Sequence, residues 1–239
     1  LPEEVLLTNA TGAYGLAISE HMIGMLFELQ KKLNLYAANQ RAHIWKEEGN
    51  VRLIEGSRVL VIGLGDIGTA FARKMKGLGC RTVGIKRREA RKPEGVDDLF
   101  TLERLEQQLP KADIVALCLP GYEGTYHMLN EERIAMLKEN AVVLNVGRGM
   151  TVDTEALTKA LREGRIAGAC LDVTDPEPLP SEHPLWDMDN VILTPHVSGR
   201  FSLPETLEKI LNICIENLEC YLVKRPLRNV IDRKTGYRM

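Results

Sequence analysis

Continuous apolar runs of strand length alternate along the chain with segments of helical spacing. Segments whose apolar residues recur every three or four positions lie at 69–78, 102–109, 131–137 and 154–163. Strands that are apolar on both faces are typical of parallel sheets covered by helices. The pattern therefore predicts a six-stranded, doubly wound α/β fold. Its strands are expected at 59–62, 81–85, 112–119, 141–146, 166–173 and 191–194.

Two longer helical segments flank this unit, at 17–39 and 203–222. The first carries an apolar stripe that is either part of the core or a surface for a partner: Ile18, Met22, Met25, Leu26, Leu29, Leu33 and Tyr36. Asn130 and Asp153 are suited to cap the helices that follow them. The basic tail at 224–239 contains Pro226 and is expected to run over the surface.

The first apolar run leads into a glycine pattern of the form G-x-G-x-x-G. Gly63 permits a tight turn, Gly65 allows a pyrophosphate to approach the backbone, and Gly68 allows the next helix to pack against the strand. The N-terminus of that helix presents unpaired N–H groups to the phosphate. Because the pattern lies between a strand and a helix, it indicates a dinucleotide site.

The second strand is followed by three cations, Lys86, Arg87 and Arg88, with no carboxylate before Glu89. A carboxylate at this place would bind the ribose 2′-hydroxyl of NAD, whereas Arg can bind a 2′-phosphate through two hydrogen bonds. The basic turn therefore favours NADP, with NAD possible. The alternative is a solvated loop without a ligand.

Length and composition exclude several classes of protein. The chain has 239 residues, a net charge of −2 and a pI near 6.3, which give no support to nucleic-acid or membrane-surface binding. No apolar run is long enough to span a bilayer. The five cysteines form no C-x-x-C pair and indicate reduced thiols in a cytoplasmic protein. No residue cluster has metal-ligand spacing.

Three polar residues follow strands at the edge where a parallel sheet places its chemistry. Arg148 follows the fourth run, Glu177 the fifth and His196 the sixth. A cation, a carboxylate and an imidazole together suit carbonyl reduction: Arg orients a substrate carboxylate, His supplies a proton, and Glu stabilises the protonated ring. Taken singly, each could be an ordinary loop residue; their placement beside a nucleotide motif favours catalysis.

Across residues 9–237 the chain resembles the D-isomer-specific 2-hydroxyacid dehydrogenases, and within them the glyoxylate/hydroxypyruvate reductases. The motifs that carry the resemblance are V-I-G-L-G-D-I-G, N-V-G-R-G, L-D-V-T-D-P-E-P-L-P, H-P-L-W, N-V-I-L-T-P-H-V-S-G and N-V-I-D. The resemblance implies that His196 is the acid/base, Glu177 its partner and Arg148 the substrate-orienting cation. It also implies cofactor contacts for Asp66 and Ile67 (pyrophosphate), Leu119 and Pro120 (adenosine half), and Val146 and Asp172 (nicotinamide).

The resemblance also implies a domain organisation. Residues 1–12 would end a flavodoxin-like substrate domain and form the first hinge, 13–200 would bind the dinucleotide, and 201–239 would hold the second hinge helix and the tail. Most of the family's substrate domain comes from an N-terminal segment that is absent here, so trimming or cleavage is expected. The sequence L-P-G-Y at 119–122 departs from the family's common L-P-L-T.

The leading hypothesis is an NAD(P)-dependent reductase of small 2-oxoacids such as glyoxylate or hydroxypyruvate. By the resemblance it would be a homodimer, and the stripe of Met22, Met25, Leu29 and Leu33 could serve the interface. The isolated chain is expected to bind NADPH and to reduce substrate poorly. The alternatives are a dinucleotide-sensing, corepressor-like module and a non-catalytic cofactor-binding fragment. His21, His43, His127 and His183 are expected to be structural.

Overall fold

The chain forms one seven-stranded parallel sheet, with strand order β3-β2-β1-β4-β5-β6-β7, in a computed structural model that describes residues 2, 5–200 and 203–233. The strands are β1 (Arg58–Ile62), β2 (Arg81–Lys86), β3 (Asp98–Thr101), β4 (Ile114–Leu117), β5 (Val142–Asn145), β6 (Gly168–Leu171) and β7 (Val191–Leu193). The α-helices are α1 (Gly15–Gln30), α2 (Leu33–Arg41), α3 (Asp66–Gly77), α4 (Leu105–Gln108), α5 (Glu131–Ala135), α6 (Thr154–Arg162) and α7 (Pro204–Leu222).

Each face of the sheet is buried under helices because successive strand residues point to opposite sides. Leu60 and Ile62 of β1 pack with residues of α5 and α6 on one face, whereas Val59 and Val61 pack with α1 and α3 on the other. The central strands β4, β5 and β6 are buried at every position. The predicted doubly wound α/β fold is confirmed, and apolar burial on both faces is its main source of stability.

The prediction of six strands was wrong by one, because it omitted β3. This strand pairs in parallel with β2, and its register sets Val83 opposite Asp98. All four residues of β3 are only partly buried, as expected at the edge of a sheet. The sequence D-L-F-T is too short and too polar to give the continuous apolar run that marks the central strands.

The predicted helix at 17–39 is two helices. Lys32 adopts a left-handed backbone with φ of 56°, which ends α1 before α2 begins. The side-chain ammonium of Lys32 donates to the carbonyl of Glu48, so the break is tied to the following loop. Met22 and Met25 are 0% and 3% exposed and pack onto the sheet. These two residues of the stripe are therefore core, and their proposed use in a dimer surface was wrong, whereas Leu33 is 51% exposed.

The local signals at the other helices were largely confirmed. Asn130 accepts a hydrogen bond from the Arg133 N–H, and Asp153 accepts one from the Ala156 N–H, so both act as caps. The helix after the glycine pattern begins at 66 rather than 69. The segment predicted as one helix at 102–109 is α4 flanked by two short 3₁₀ turns.

The two ends of the described chain meet. Thr8 and Val230 form an antiparallel bridge, and the Asn9 N–H donates to the carbonyl of Asn229 at 3.2 Å. The tail is exposed at 224–226, as expected, but Asn229 is buried against the N-terminal segment. The remainder of the predicted surface tail, 234–239, lies outside the described residues. Among the helices that the structure describes, none is long and apolar enough to cross a membrane.

Candidate active site

The glycine pattern lies where the strand order of the sheet reverses, between β1 and β4. Gly63 has φ of +96°, and a Cβ there would lie 2.7 Å from the carbonyl oxygen of Cys118, so only glycine fits. A Cβ on Gly68 would lie 2.1 Å from the carbonyl oxygen of Gly63, which explains the third glycine. Gly65 has open space around it. The residues thus leave room for a phosphate at the start of α3.

Asp66, the first residue of α3, directs its side chain towards the start of α1. One carboxylate oxygen, Oδ2, accepts hydrogen bonds from the backbone N–H groups of Gly12, Tyr14 and Gly15 at 3.0, 3.2 and 2.9 Å. These N–H groups lie at the start of α1, where a helix has unpaired donors. The backbone N–H groups of Asp66 and Ile67 remain in the first turn of α3, so a pyrophosphate contact there would use main-chain atoms.

The remaining residues predicted to contact a cofactor lie along the same edge of the sheet. Leu119 and Val146 are buried just beyond β4 and β5, and Pro120 follows Leu119. Burial raises the pKa of the Cys118 thiol to about 12, so this neighbour of Leu119 stays neutral. At the end of β2, Lys86 is half-buried, and the two cations after it are exposed: Arg87 and Arg88.

His196 and Glu177 are in direct contact. The Nδ1 atom of His196 lies 2.7 Å from Oε1 of Glu177, and both side chains are a little over two-fifths exposed. An ionised carboxylate can only accept, so Nδ1 carries the proton and Nε2 is left for a ligand. The structure therefore brings together two of the three predicted catalytic residues.

Asp172 holds the turn that carries His196. Its carboxylate is 1% exposed and accepts from the Val197 N–H at 2.9 Å, the Ser198 N–H at 3.1 Å and the Ser198 hydroxyl. Its carbonyl accepts from the His196 N–H at 2.8 Å. His196 has φ of 51°, a left-handed conformation that costs about 1–2 kcal/mol for a residue with a Cβ. The hydrogen bonds to Asp172 compensate for that strain.

A cavity of about 610 Å³ opens beside this pair. Asp172, Glu177 and His196 line it together with apolar side chains that include Leu179, Trp186 and Leu193. Its size suits a small-molecule ligand.

Arg148 does not line this cavity. Its guanidinium donates from Nη1 to the carbonyl of Gly147 at 2.7 Å, and its side chain is exposed. A Cβ on Gly121 would lie 3.0 Å from both Cγ of Arg148 and Sδ of Met150. The glycine at 121, one of the departures from the family sequence, therefore leaves space that the stem of Arg148 occupies.

Comparison with known proteins identifies the family. Residues 23–198 match the family described as D-isomer specific 2-hydroxyacid dehydrogenase, NAD binding domain. The chain belongs to this family. The matched region includes the glycine pattern, the His196–Glu177 pair and Arg148. In this family the domain binds a nicotinamide dinucleotide, which agrees with the space left at Gly65.

Individual relatives agree with this assignment. The chain is 32% identical over 219 residues to a glyoxylate reductase of Thermofilum pendens, covering 90% of this chain and 64% of that protein. A D-isomer specific 2-hydroxyacid dehydrogenase of Xanthobacter autotrophicus, solved with NADPH and MES, is 33% identical with a TM-score of 0.85, covering 98% of this chain and 95% of that one. An NADPH-dependent glyoxylate/hydroxypyruvate reductase of Sinorhizobium meliloti, solved with NADP and sulfate, is 27% identical with a TM-score of 0.85, covering 99% and 74%. The chain thus spans less than two-thirds of the Thermofilum relative.

Several residues at the site were not predicted from the sequence. Thr194 donates its hydroxyl to Asp172 at 2.6 Å, and His21 of α1 contacts that hydroxyl at 3.0 Å. Trp186 and Leu179 form walls of the cavity. The position of Thr194 at the end of β7, two residues before His196, was a usable signal. Nothing in the local sequence around His21 indicates the contact.

Proposed function

We propose that the protein is an NADPH-dependent reductase that converts a small 2-oxoacid of the glyoxylate or hydroxypyruvate type into a D-2-hydroxyacid. The observation that carries the proposal is the 2.7 Å contact between Nδ1 of His196 and Oε1 of Glu177, beside a cavity at the carboxyl edge of the sheet. This edge is where doubly wound folds bind their ligands. The family and the glyoxylate reductases among its members support the reaction class.

The pair explains how a proton would be delivered. When bound, the reduced nicotinamide supplies a hydride to the keto carbon of the substrate. The oxygen of that carbonyl gains negative charge and takes the proton from Nε2 of protonated His196. The ring is then neutral with its remaining proton on Nδ1, where Glu177 already accepts. Glu177 thus stabilises the ring before transfer and keeps the correct nitrogen facing the substrate afterwards.

Arg148 is proposed to orient the substrate carboxylate. One of its five donors is used by the Gly147 carbonyl, which leaves a guanidinium edge for a bidentate contact. In the present arrangement Arg148 lies outside the cavity of His196. The proposal therefore requires a change of Arg148 side-chain rotamer, or a substrate that bridges the two positions.

The cofactor is proposed to be NADP. Lys86 ends β2, and Arg87 and Arg88 follow it, at the place that the ribose of a dinucleotide occupies in this fold. Two relatives of known structure were solved with NADPH or NADP, which supports the same preference. Lys86 is anchored by the sheet, so it can place one positive charge at the 2′-phosphate with little loss of side-chain freedom.

The protein is further proposed to act as a homodimer, through a surface other than the one suggested by the sequence. In the loop between α2 and β1, four apolar side chains are at least half exposed: Ile44, Trp45, Val51 and Leu53. Trp45 has no measurable burial. Apolar exposure of this kind within a single loop indicates a protein contact surface, and aromatic residues are enriched in such contacts.

The reaction is tested by assaying the complete protein with NADPH and NADH against a panel of 2-oxoacids. His196→Gln should retain cofactor binding and lose about 10²–10⁴-fold in turnover, the contribution of a general acid. The matched control is His43→Asn. His43 is exposed and has a left-handed backbone conformation, which asparagine also adopts readily. Full turnover by His196→Gln, or no reduction of any 2-oxoacid by the wild type, would overturn the proposal.

A further inference from the structure

His21 reaches from α1 to the end of β7, on the far side of the catalytic turn. Its Nε2 atom lies 3.0 Å from Oγ1 of Thr194 and 3.8 Å from Oδ1 of Asp172. The His21 side chain is 27% exposed, whereas Asp172 is 1% exposed. The sequence suggested a structural histidine, but these contacts connect it to residues that line the cavity.

The direction of the hydrogen bonds follows from the groups involved. Asp172 receives donors from the Val197 N–H and from the N–H and hydroxyl of Ser198, as expected for an ionised carboxylate. Thr194 has one hydroxyl proton, and at 2.6 Å it must donate that proton to Asp172. Its oxygen therefore accepts from His21, so Nε2 of His21 carries a proton. The sulfur of Met25, 3.7 Å from the same hydroxyl, is a weak acceptor beside a carboxylate.

The chain of contacts ends at the strained residue. Asp172 accepts from the two residues after His196 through its carboxylate and from His196 itself through its carbonyl. If Thr194 lost its partner on α1, its hydroxyl could rotate away, and Asp172 would lose one of its donors. A group that sets the position of a catalytic side chain affects turnover even when it does not touch the substrate.

We propose that His21 is a positioning residue for His196, acting through Thr194 and Asp172. Only the expected effect of His21 on turnover rests on the proposed function. The hydrogen-bond chain itself is independent of the substrate, so it can be tested on the protein without one.

The kinetic test uses the complete protein with the best 2-oxoacid of the panel. His21→Leu and the isosteric Thr194→Val should each lower kcat by about 3- to 10-fold, the effect of one lost hydrogen bond behind a catalytic group, with KM changed less. The kcat of the double variant should be no lower than that of the more impaired single variant, because both changes break the same hydrogen-bond chain. His21→Gln, which keeps an N–H donor of similar reach, should recover most of the loss. His43→Asn is the control.

The spectroscopic test uses the ¹⁵N resonances of the histidine rings, assigned with the single variants. In the wild type His196 should carry its proton on Nδ1, and His21 should carry one on Nε2. In Thr194→Val and His21→Leu, the Nε2–H form of His196 should become populated as the turn loosens. Unchanged kcat in both variants, additive losses in the double variant, or an unchanged His196 tautomer would each overturn the proposal. If the wild type reduces no 2-oxoacid, the proposed function fails, and the ring resonances alone decide the role of His21.

Discussion

Replacing Asp66 with alanine tests whether the residue after the second glycine of the dinucleotide pattern holds the start of α1. In the structure its Oδ2 atom is the shared acceptor for the N–H groups of Gly12, Tyr14 and Gly15. A Cβ on Gly15 would lie 2.4 Å from Oδ1 of the same carboxylate, so the starts of α1 and α3 are in close contact. Asp66→Ala removes the acceptor for all three donors.

The expected loss of stability follows from the number and setting of these bonds. A hydrogen bond to a charged acceptor contributes about 1.5–3 kcal/mol, and a side-chain helix cap about 0.5–2 kcal/mol. The three bonds share one oxygen, and Asp66 is only half-buried, so water can replace part of them. Asp66→Ala should therefore cost about 2–3 kcal/mol, or about 4–10 °C in Tm for a chain of this length. Asp66→Asn keeps an acceptor without the charge and should cost about 1 kcal/mol.

Urea unfolding and amide hydrogen exchange measure the two consequences. The matched control is Glu20→Ala, which breaks another contact between α1 and α3, the 2.7 Å ion pair between Glu20 and Lys74. The Glu20 side chain is 64% exposed. Exposed ion pairs contribute about 0–1 kcal/mol, so this control should be nearly neutral. Exchange should speed up at the amides of Tyr14 and Gly15 in Asp66→Ala only. Equal stabilities for Asp66→Ala and Glu20→Ala, or unchanged exchange at Gly15, would refute the assignment.

Three further predictions concern the cofactor, the assembly and the dependence of stability on pH. Arg87→Asp should weaken NADPH binding by about tenfold or more and NADH binding much less, since it removes a charge-assisted phosphate contact; equal weakening in fluorescence titrations would contradict the NADP assignment. Trp45→Glu should shift the protein to monomer in light scattering, and a wild type that is monomeric at high concentration would remove the basis for a dimer. The pKa of Asp97 is lowered from 3.8 to about 2, chiefly by the Lys76 ammonium and then by the Thr82 N–H, so its stabilisation is present above about pH 4 and is lost as pH falls towards 2. Asp97→Asn should cost on the order of 1 kcal/mol at pH 6 after solvent screening, and urea unfolding should find a smaller gap from the wild type below pH 3.

The parts of the fold that could be predicted from the sequence are those where one physical cause dominates. The central strands are buried on both faces, and their continuous apolar composition predicts this burial directly. A Cβ on Gly63 or Gly68 would lie 2.7 or 2.1 Å from a backbone oxygen, and this steric demand appears directly as a spacing of glycines. Asn130 and Asp153 cap their helices through local contacts three residues away. Signals of this kind are contained within a few residues.

The errors arose where the deciding contact is distant in sequence. The break at Lys32 is tied to Glu48, and the apolar spacing on either side of it continues as if one helix were present. The polar edge strand β3 forms because it pairs with the edge of β2, and its own residues do not predict this pairing. The pattern that contains Met22 and Met25 favours a core but also suits an interface, and packing on the sheet decides between them.

The candidate site follows the same division. His196, Glu177 and Arg148 could be proposed because the ends of parallel strands share one edge of the sheet, but that argument does not give distances. The structure joins His196 to Glu177 and places Arg148 beside Gly121, outside the cavity. The side-chain contact of Asp66 with the start of α1 spans 51 to 54 residues, so the family resemblance, which implies a pyrophosphate contact for Asp66, had no means to find it.

These distant contacts give α1 a role that its apolar stripe does not suggest. Its N-terminus is held by Asp66 at the start of α3, and about two turns later His21 contacts Thr194 beside Asp172, at the turn that carries His196. Ile18, between these two contacts, and Met22, directly after His21, pack the helix onto the sheet. The dinucleotide pattern and the catalytic turn are therefore connected by packing through α1 as well as by the sheet that carries both.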